Sequence, residues 1–275
     1  MPELPEVETV VRAVRPHLVG RAVTAVTTTV ERLRTPLRLA GDRRLLGRAI
    51  VDVRRRAKYV IAELDGGHAL LLHLGMTGSF RIQPAAAGLS VHDRVSFALD
   101  DGNTWVFCDP RRFGQAEVHA LPRPGGEPAC LADLGPEPLG PDFDVDWLQH
   151  ACRGRRRPIK NLIMDQDVVV GVGNIYASEA LFRAHIRPMT AAGRLSRARL
   201  RRLHTAIREV LHEAIAAGGT TIINFKTVDG SEGLFRRALR VYQRTGERCR
   251  RCGRGRIRRL VQSGRSSYYC PVCQR

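Results

Sequence analysis

The start of this 275-residue chain, Met1-Pro2-Glu3-Leu4-Pro5-Glu6, has residue types that can do covalent chemistry. Removal of Met1 would leave Pro2 as a free secondary amine. Attack of that amine on an aldehyde-like carbon gives an iminium ion, which draws electrons for later eliminations. An α-amino group has a reference pKa of roughly 7.7–8.0, so part of it is unprotonated near neutrality. Val7, Val10, Val11, Val14 and Leu18 follow at helical spacing, with Gly20 as a stop. Pro2 and Glu3 therefore fall just before a helix N-terminus, whose dipole favours the carboxylate and disfavours the ammonium. The same residues also fit a plain helix entry, with proline and glutamate in favoured first-turn positions.

The second reactive group is at the other end. Cys249, Cys252, Cys270 and Cys273 form two C-x2-C knuckles, the spacing of a four-cysteine zinc ribbon. Gly253 and Pro271 supply turn chemistry, while Cys108, Cys130 and Cys152 are scattered and offer no disulfide framework. With all four ligands cysteine, one structural Zn²⁺ is expected. Between the knuckles, Ile257, Leu260, Val261, Tyr268 and Tyr269 suit a two-stranded hairpin turning near Gly264-Arg265.

Three loop-like motifs come next. His73-Leu74-Gly75-Met76-Thr77-Gly78 ends a strand and either presents Met76 at a turn or buries it. Asp109-Pro110-Arg111-Arg112-Phe113-Gly114 sets an aromatic beside two guanidiniums. That pair suits a wedge between bases, or a buried Phe with solvated Arg neighbours. Gly171-Val172-Gly173-Asn174-Ile175-Tyr176 is a tight turn into a helix, with Asn174 as the expected N-cap. It is a potential phosphate site or simply a capped turn.

Charge indicates the partner. The net charge of +18 points to a polyanion, and residues 244–275 hold ten arginines against one acid, Glu247. Only Lys58, Lys160 and Lys226 among the 45 basic residues are lysines. Against such arginine usage, a lysine marks a need for a deprotonatable group or a compact ammonium, which singles out Lys58 and Lys160. No run of about 18 apolar residues occurs, so no membrane partner is expected.

The elements that must position these groups divide into β-rich and helical halves. Short strands are predicted at 23–30, 49–53, 59–64, 69–74, 94–99, 104–107 and 115–119, as in a β-sandwich. A Pro/Gly-rich stretch over 121–141 reads as a linker. A helical stripe then runs through Leu195, Leu200, Leu203, Ile207, Val210, Leu211 and Ile215. The predicted fold class is α+β multidomain: an N-terminal β-sandwich with flanking helices over 1–130, a helical domain over 131–243 and the zinc ribbon over 244–275.

Taken in order, these motifs, with Arg56-Ala57-Lys58-Tyr59 and Gly218-Gly219-Thr220-Thr221, resemble the family of formamidopyrimidine-DNA glycosylase (Fpg, or MutM) and endonuclease VIII over essentially the whole chain. The Pro-Glu-Leu-Pro-Glu start resembles the Fpg branch. The resemblance implies a helix–two-turns–helix middle domain and a monomer acting on double-stranded DNA that contains oxidised bases, bound in a cleft between domains. It implies a bacterial cytoplasmic setting, nucleoid-associated through DNA binding. The implied activity is a bifunctional DNA glycosylase/AP lyase of base excision repair, excising 8-oxoguanine and formamidopyrimidines. An oxidised-pyrimidine glycosylase like endonuclease VIII and a non-catalytic lesion-binding paralogue are the alternatives.

Carried over position by position, Pro2 would attack C1′, Glu3 would handle protons and Glu6 would support the site. Lys58 would contact the lesion-side phosphate and assist proton transfer. Met76, Arg111 and Phe113 would fill the gap left by the flipped base. Lys160, Asn174 and Arg265 would hold phosphates around it, with His92, Arg155 and Tyr176 as further backbone contacts. Two segments depart from the family pattern: Ile222-Ile223-Asn224-Phe225-Lys226, beside a loop expected to cover the flipped base (about 220–234), and Val241-Tyr242-Gln243-Arg244, where Val-Tyr-Gly-Arg is commoner.

Overall fold

Leu4, Val7, Val10, Val11, Val14 and Leu18 recur at the helical period, and they form the buried face of α1 (Leu4–Leu18). Removing each such side chain from water is worth about 1.5–3 kcal/mol, which holds the helix against the strands that follow. Gly20, at φ +84°, lets the chain leave the helix where the stop was expected. The computed structural model describes residues 2–220 and 234–275. The departure at Ile222–Lys226 and most of the expected covering loop lie outside the described residues.

The chain divides into two compact units, Met1–Ala132 with Gly218–Leu234, and Asp133–Ala217 with Phe235–Arg275. In the first, β1 (Val23–Thr28), β6 (Asp93–Leu99), β7 (Asn103–Cys108) and β5 (Ser79–Pro84) form one antiparallel sheet in that order. The other sheet runs β2 (Ile50–Arg56), β3 (Tyr59–Leu64), β4 (His68–His73), β8 (Gln115–Ala120), again antiparallel. One apolar core takes side chains from both sheets and from α1, including Val10, Val14, Leu70, Leu72, Phe97, Trp105 and Phe107. The β-sandwich is thus present. β5 was missed in the sequence because only Phe80 and Ile82 alternate there among polar residues.

The second unit contains α2 (Val145–Cys152), α3 (Ile159–Ile163), α4 (Asn174–Arg183) and α5 (Arg197–Ala216). Asp144 caps α2 by accepting the Trp147 N–H at 2.7 Å. Turns between α3 and α4 make the helix–two-turns–helix, and α5 buries the predicted Leu200, Leu203, Ile207, Val210 and Leu211 stripe. β9 (Arg258–Gln262) and β10 (Arg265–Tyr269) pair as an antiparallel hairpin. Ser263 and Gly264 connect them at φ +46° and +73°, the double positive φ of a two-residue hairpin turn. No helix among the described residues is long and apolar enough to cross a membrane.

Candidate active site

The N-terminal site is assembled by a capping box. The Glu3 side chain accepts the Glu6 backbone N–H, and Glu6 Oε2 accepts the Glu3 N–H at 2.8 Å. Glu6 Oε1 accepts a second backbone N–H, that of Thr220, at 2.7 Å. Pro2 is buried, and Glu3 and Glu6 are 3 % and 2 % exposed. Glycine is required beside them: Gly219 has φ +81°, and a Cβ there would lie 3.1 Å from Glu6 Oε1. Both oxygens of Glu6 are committed to backbone donors, so its carboxylate locks Pro2-Glu3 to the segment that follows α5.

Lys58 follows Ala57 in the two-residue turn between the paired residues Arg56 and Tyr59, and Ala57 adopts φ +53°. Lys58 is buried, and its charge acts on His73. Burial first, then the charges of Lys58 and Arg34, push His73 down to about 4, so its imidazole is neutral at pH 7. Its Nδ1 accepts the Gly75 N–H at 3.0 Å, which fixes the start of the Met76 turn.

The structure presents Met76 and Phe113 outward, 42 % and 46 % exposed, which removes the buried alternatives for both. The Arg111 guanidinium stacks 4.6 Å from the Phe113 ring centroid. The two loops share one support. Asp109 is fully buried, its Oδ1 accepting Thr77 Oγ1–H at 2.9 Å and its Oδ2 the Gly114 N–H at 2.7 Å. A Cβ on Gly75 would lie 2.4 Å from the Phe113 carbonyl carbon, so the backbones touch there. His92 is exposed, and its carbonyl accepts the Asp109 N–H at 2.9 Å.

In the second unit Lys160 is 1 % exposed, and its ammonium donates to Asn174 Oδ1, Ser266 O (3.0 Å) and Ser267 Oγ (2.8 Å). A compact three-donor ammonium fits this pocket as a planar guanidinium would not. It ties the start of α4 to β10. The Asn174 expectation needs correction: the N-cap is Gly173, in extended backbone, and Asn174 is the first helical residue. Its amide oxygen is engaged by Lys160, which leaves the NH₂ as the donating edge.

Arg265 is exposed at the hairpin tip, next to Ser263, whose Oγ accepts from Asn161 Nδ2 at 2.8 Å. The Arg155 side chain is exposed, with its backbone bonded to Cys152 and Gly193. Tyr176 is fully buried, its ring 5.8 Å from that of Phe235.

Two supporting residues escaped the sequence reading. Asp109 was visible only as the first residue of its motif. Glu179 is buried, and its carboxylate accepts the backbone N–H groups of Arg240, Val241 and Tyr242, each at 2.9 Å. Burial raises its pKa, opposed by those three donors. Nothing in the local sequence marks it, because its partners lie about sixty residues away.

The four cysteine Sγ atoms all lie within 4.8 Å of one another, with Cys249–Cys273 and Cys252–Cys270 both at 3.8 Å. A tetrahedron with Zn–S bonds of about 2.3 Å has edges of about 3.8 Å, so the donor set fits one structural zinc. Gly255 N–H donates to Cys252 Sγ at 3.4 Å and is the main cause of that thiol's fall to about 6. A Cβ on Gly255 would come within 2.6 Å of Cys270 Sγ.

Three family models match the chain in order: the formamidopyrimidine-DNA glycosylase N-terminal domain over residues 1–116, its H2TH domain over 134–226, and a zinc finger found in FPG and IleRS over 246–275. That order defines a DNA-repair glycosylase with a zinc finger. A formamidopyrimidine-DNA glycosylase of Thioalkalivibrio sulfidiphilus (strain HL-EbGR7) is 52 % identical over 282 residues, covering 100 % of both chains. The crystal structure of MutM (Fpg) from Thermus thermophilus superposes with a TM-score of 0.86 at 38 % identity, over 99 % of this chain and 98 % of that one. Lactococcus lactis Fpg in complex with DNA containing an abasic site gives 0.88 at 32 % identity, over 99 % of each. The chain belongs to the formamidopyrimidine-DNA glycosylase family.

Proposed function

We propose that this glycosylase is bifunctional, releasing oxidised purines from duplex DNA and then cleaving the strand at the resulting abasic site. The observation that carries the reading is the buried Pro2-Glu3 segment, whose Glu3 N–H is held by one oxygen of Glu6 while the other oxygen holds the Thr220 N–H. Such a mount has a chemical use if Pro2, freed of Met1, is the nucleophile.

The Pro2 nitrogen, as the neutral amine, attacks C1′ of the damaged nucleotide while the bond from C1′ to the base breaks and the base leaves with a proton. Glu3 is the adjacent carboxyl able to relay that proton and to assist opening of the sugar ring. The resulting iminium withdraws electrons, so loss of the C2′ proton expels the 3′ phosphate, and a second elimination expels the 5′ phosphate. Hydrolysis of the imine returns the free amine. Zinc bound by the four cysteines would maintain the fold of the ribbon and so the position of Arg265.

Base removal requires the lesion to leave the stack, at a cost of a few kcal/mol. Met76, Arg111 and Phe113 are suited to occupy the vacated space, the Arg111 guanidinium bonding the orphaned base edge. Lys58, Asn174 and Arg265 supply phosphate donors, with Lys160 orienting the Asn174 amide. His92 and Arg155 offer exposed donors along the backbone. The full burial of Tyr176 favours support over direct contact for that residue. Release of counterions by these cations should make binding steeply salt-dependent. The Lactococcus lactis Fpg forms a complex with DNA that contains an abasic site, the species on which the second half of this reading acts.

Borohydride trapping on duplexes carrying 8-oxoguanine opposite cytosine, with dihydrouracil as comparator, tests it. A covalent Pro2 adduct on the purine lesion is expected. Trapping on dihydrouracil alone would reverse the substrate class, and no adduct on any lesion would remove the enzyme reading.

A further inference from the structure

Arg94 in β6 has no role in the chemistry above, yet it is only 7 % exposed. Its Nε donates to Asp109 O at 2.9 Å, Nη1 to Val91 O at 3.0 Å and Nη2 to His92 Nδ1 at 3.3 Å. No carboxylate forms an ion pair with it among the described residues. A buried cation without a paired anion is costly, and here three uncharged acceptors from two loops compensate. One of those loops carries His92, and the other carries Arg111 and Phe113.

Arginine only donates, so His92 Nδ1 must be the acceptor and the ring proton resides on Nε2. An exposed imidazole held this way offers an N–H to an anion. Asp109 extends the network: its carbonyl accepts from Arg94, its N–H donates to the His92 carbonyl, and its carboxylate holds Thr77 and Gly114. Three outward-facing segments therefore converge on one buried pair.

We infer that Arg94 is a positioning residue that locks His92 in its Nε2–H form and joins it to the Met76 and Phe113 wedge, so that backbone grip and wedge engage DNA as one body. This rests on the DNA-facing roles proposed above for His92, Met76, Arg111 and Phe113. A lysine at position 94 would keep the charge but lose the planar fork needed to reach three acceptors.

The test compares Arg94→Lys and Arg94→Met with wild type on two substrates, a duplex with 8-oxoguanine opposite cytosine and a single-stranded oligonucleotide with a preformed abasic site. Single-turnover excision of the paired lesion should fall roughly 10–100-fold in both variants, the loss typical of misplaced groups. Borohydride trapping on the unpaired abasic strand should fall by less than about threefold, because neither flipping nor wedging is needed there and only the His92 grip on the backbone is weakened. Long-range proton–nitrogen NMR spectra of the histidine rings, with His92→Gln for assignment, should show Nε2–H at His92 in wild type and a tautomer mixture in Arg94→Lys. Full excision by Arg94→Lys, an equal loss on both substrates, or an unchanged His92 tautomer would overturn the inference. A wild type that traps on no lesion would overturn the enzyme reading, and the NMR arm would still decide the role of Arg94.

Discussion

Glu6 Oε1 accepts the backbone N–H of Thr220 at 2.7 Å, joining residues 214 positions apart in the chain. The other oxygen of the same carboxylate holds Glu3 N. One buried anion thus sets the proposed nucleophile's mount and the start of the segment after α5 together. Glu6→Gln leaves one oxygen for two N–H donors and turns an NH₂ toward the other. The expected cost is about 1–3 kcal/mol of stability. Single-turnover excision should fall roughly 100-fold. Thermal melts and rapid-quench kinetics check the two effects separately.

Gly75 is the pivot of the Met76 turn, at φ +61° with its Cα against the Phe113 backbone. Gly75→Ala combines a left-handed alanine with a clash that only backbone movement relieves, for an expected loss of about 2–4 kcal/mol. The wedge should fail before the chemistry does. A 2-aminopurine reporter beside the lesion should show reduced base flipping, while trapping on a single-stranded abasic site persists. A variant with normal flipping would mean that the two loops need not touch.

His73 provides the pH dependence. Its pKa falls from 6.5 to about 4 on folding, chiefly through burial and then through Lys58 and Arg34. Between those values the unfolded chain binds the extra proton, so stability rises with pH across the window. The contribution is fully present above 6.5 and lost as pH falls toward 4, an effect of about 3 kcal/mol. Urea melts from pH 4 to 7 should give a steeper slope for wild type than for His73→Asn. Equal slopes would contradict the neutral imidazole.

Gln243 adopts φ +58°, a left-handed backbone that favours glycine. A side chain in left-handed backbone costs about 1–2 kcal/mol, partly offset because glycine gains more unfolded entropy. Gln243→Gly should therefore raise stability by about 0.5–1 kcal/mol, read as a higher urea midpoint at unchanged slope. A lower midpoint would mean that the glutamine side chain makes up for its backbone.

The sequence was most informative where an interaction is local. The α1 stripe and the knuckle spacing of the cysteines depend on neighbours a few positions away, and the structure contains both; the outward turn of Phe113, which the sequence left open, was decided by the fold. The sparing use of lysine also carried information, since Lys160 occupies a pocket suited to a compact ammonium. Asn174 misled because a good capping residue was present, while Gly173 holds the extended backbone a cap needs and Lys160 engages the Asn174 oxygen.

By itself, the sequence determined which groups are available: a Met-Pro-Glu start, four cysteines at zinc spacing, a strongly cationic tail and the amphipathic faces that bury a core. Tertiary structure alone decided how they are held. Glu6 bonding Thr220, Arg94 spanning His92 and Asp109, and Glu179 gathering three backbone N–H groups are contacts between distant or unremarkable positions. A buried polar group must find a partner wherever folding brings one within hydrogen-bond reach, and that partner leaves no period or motif in the chain.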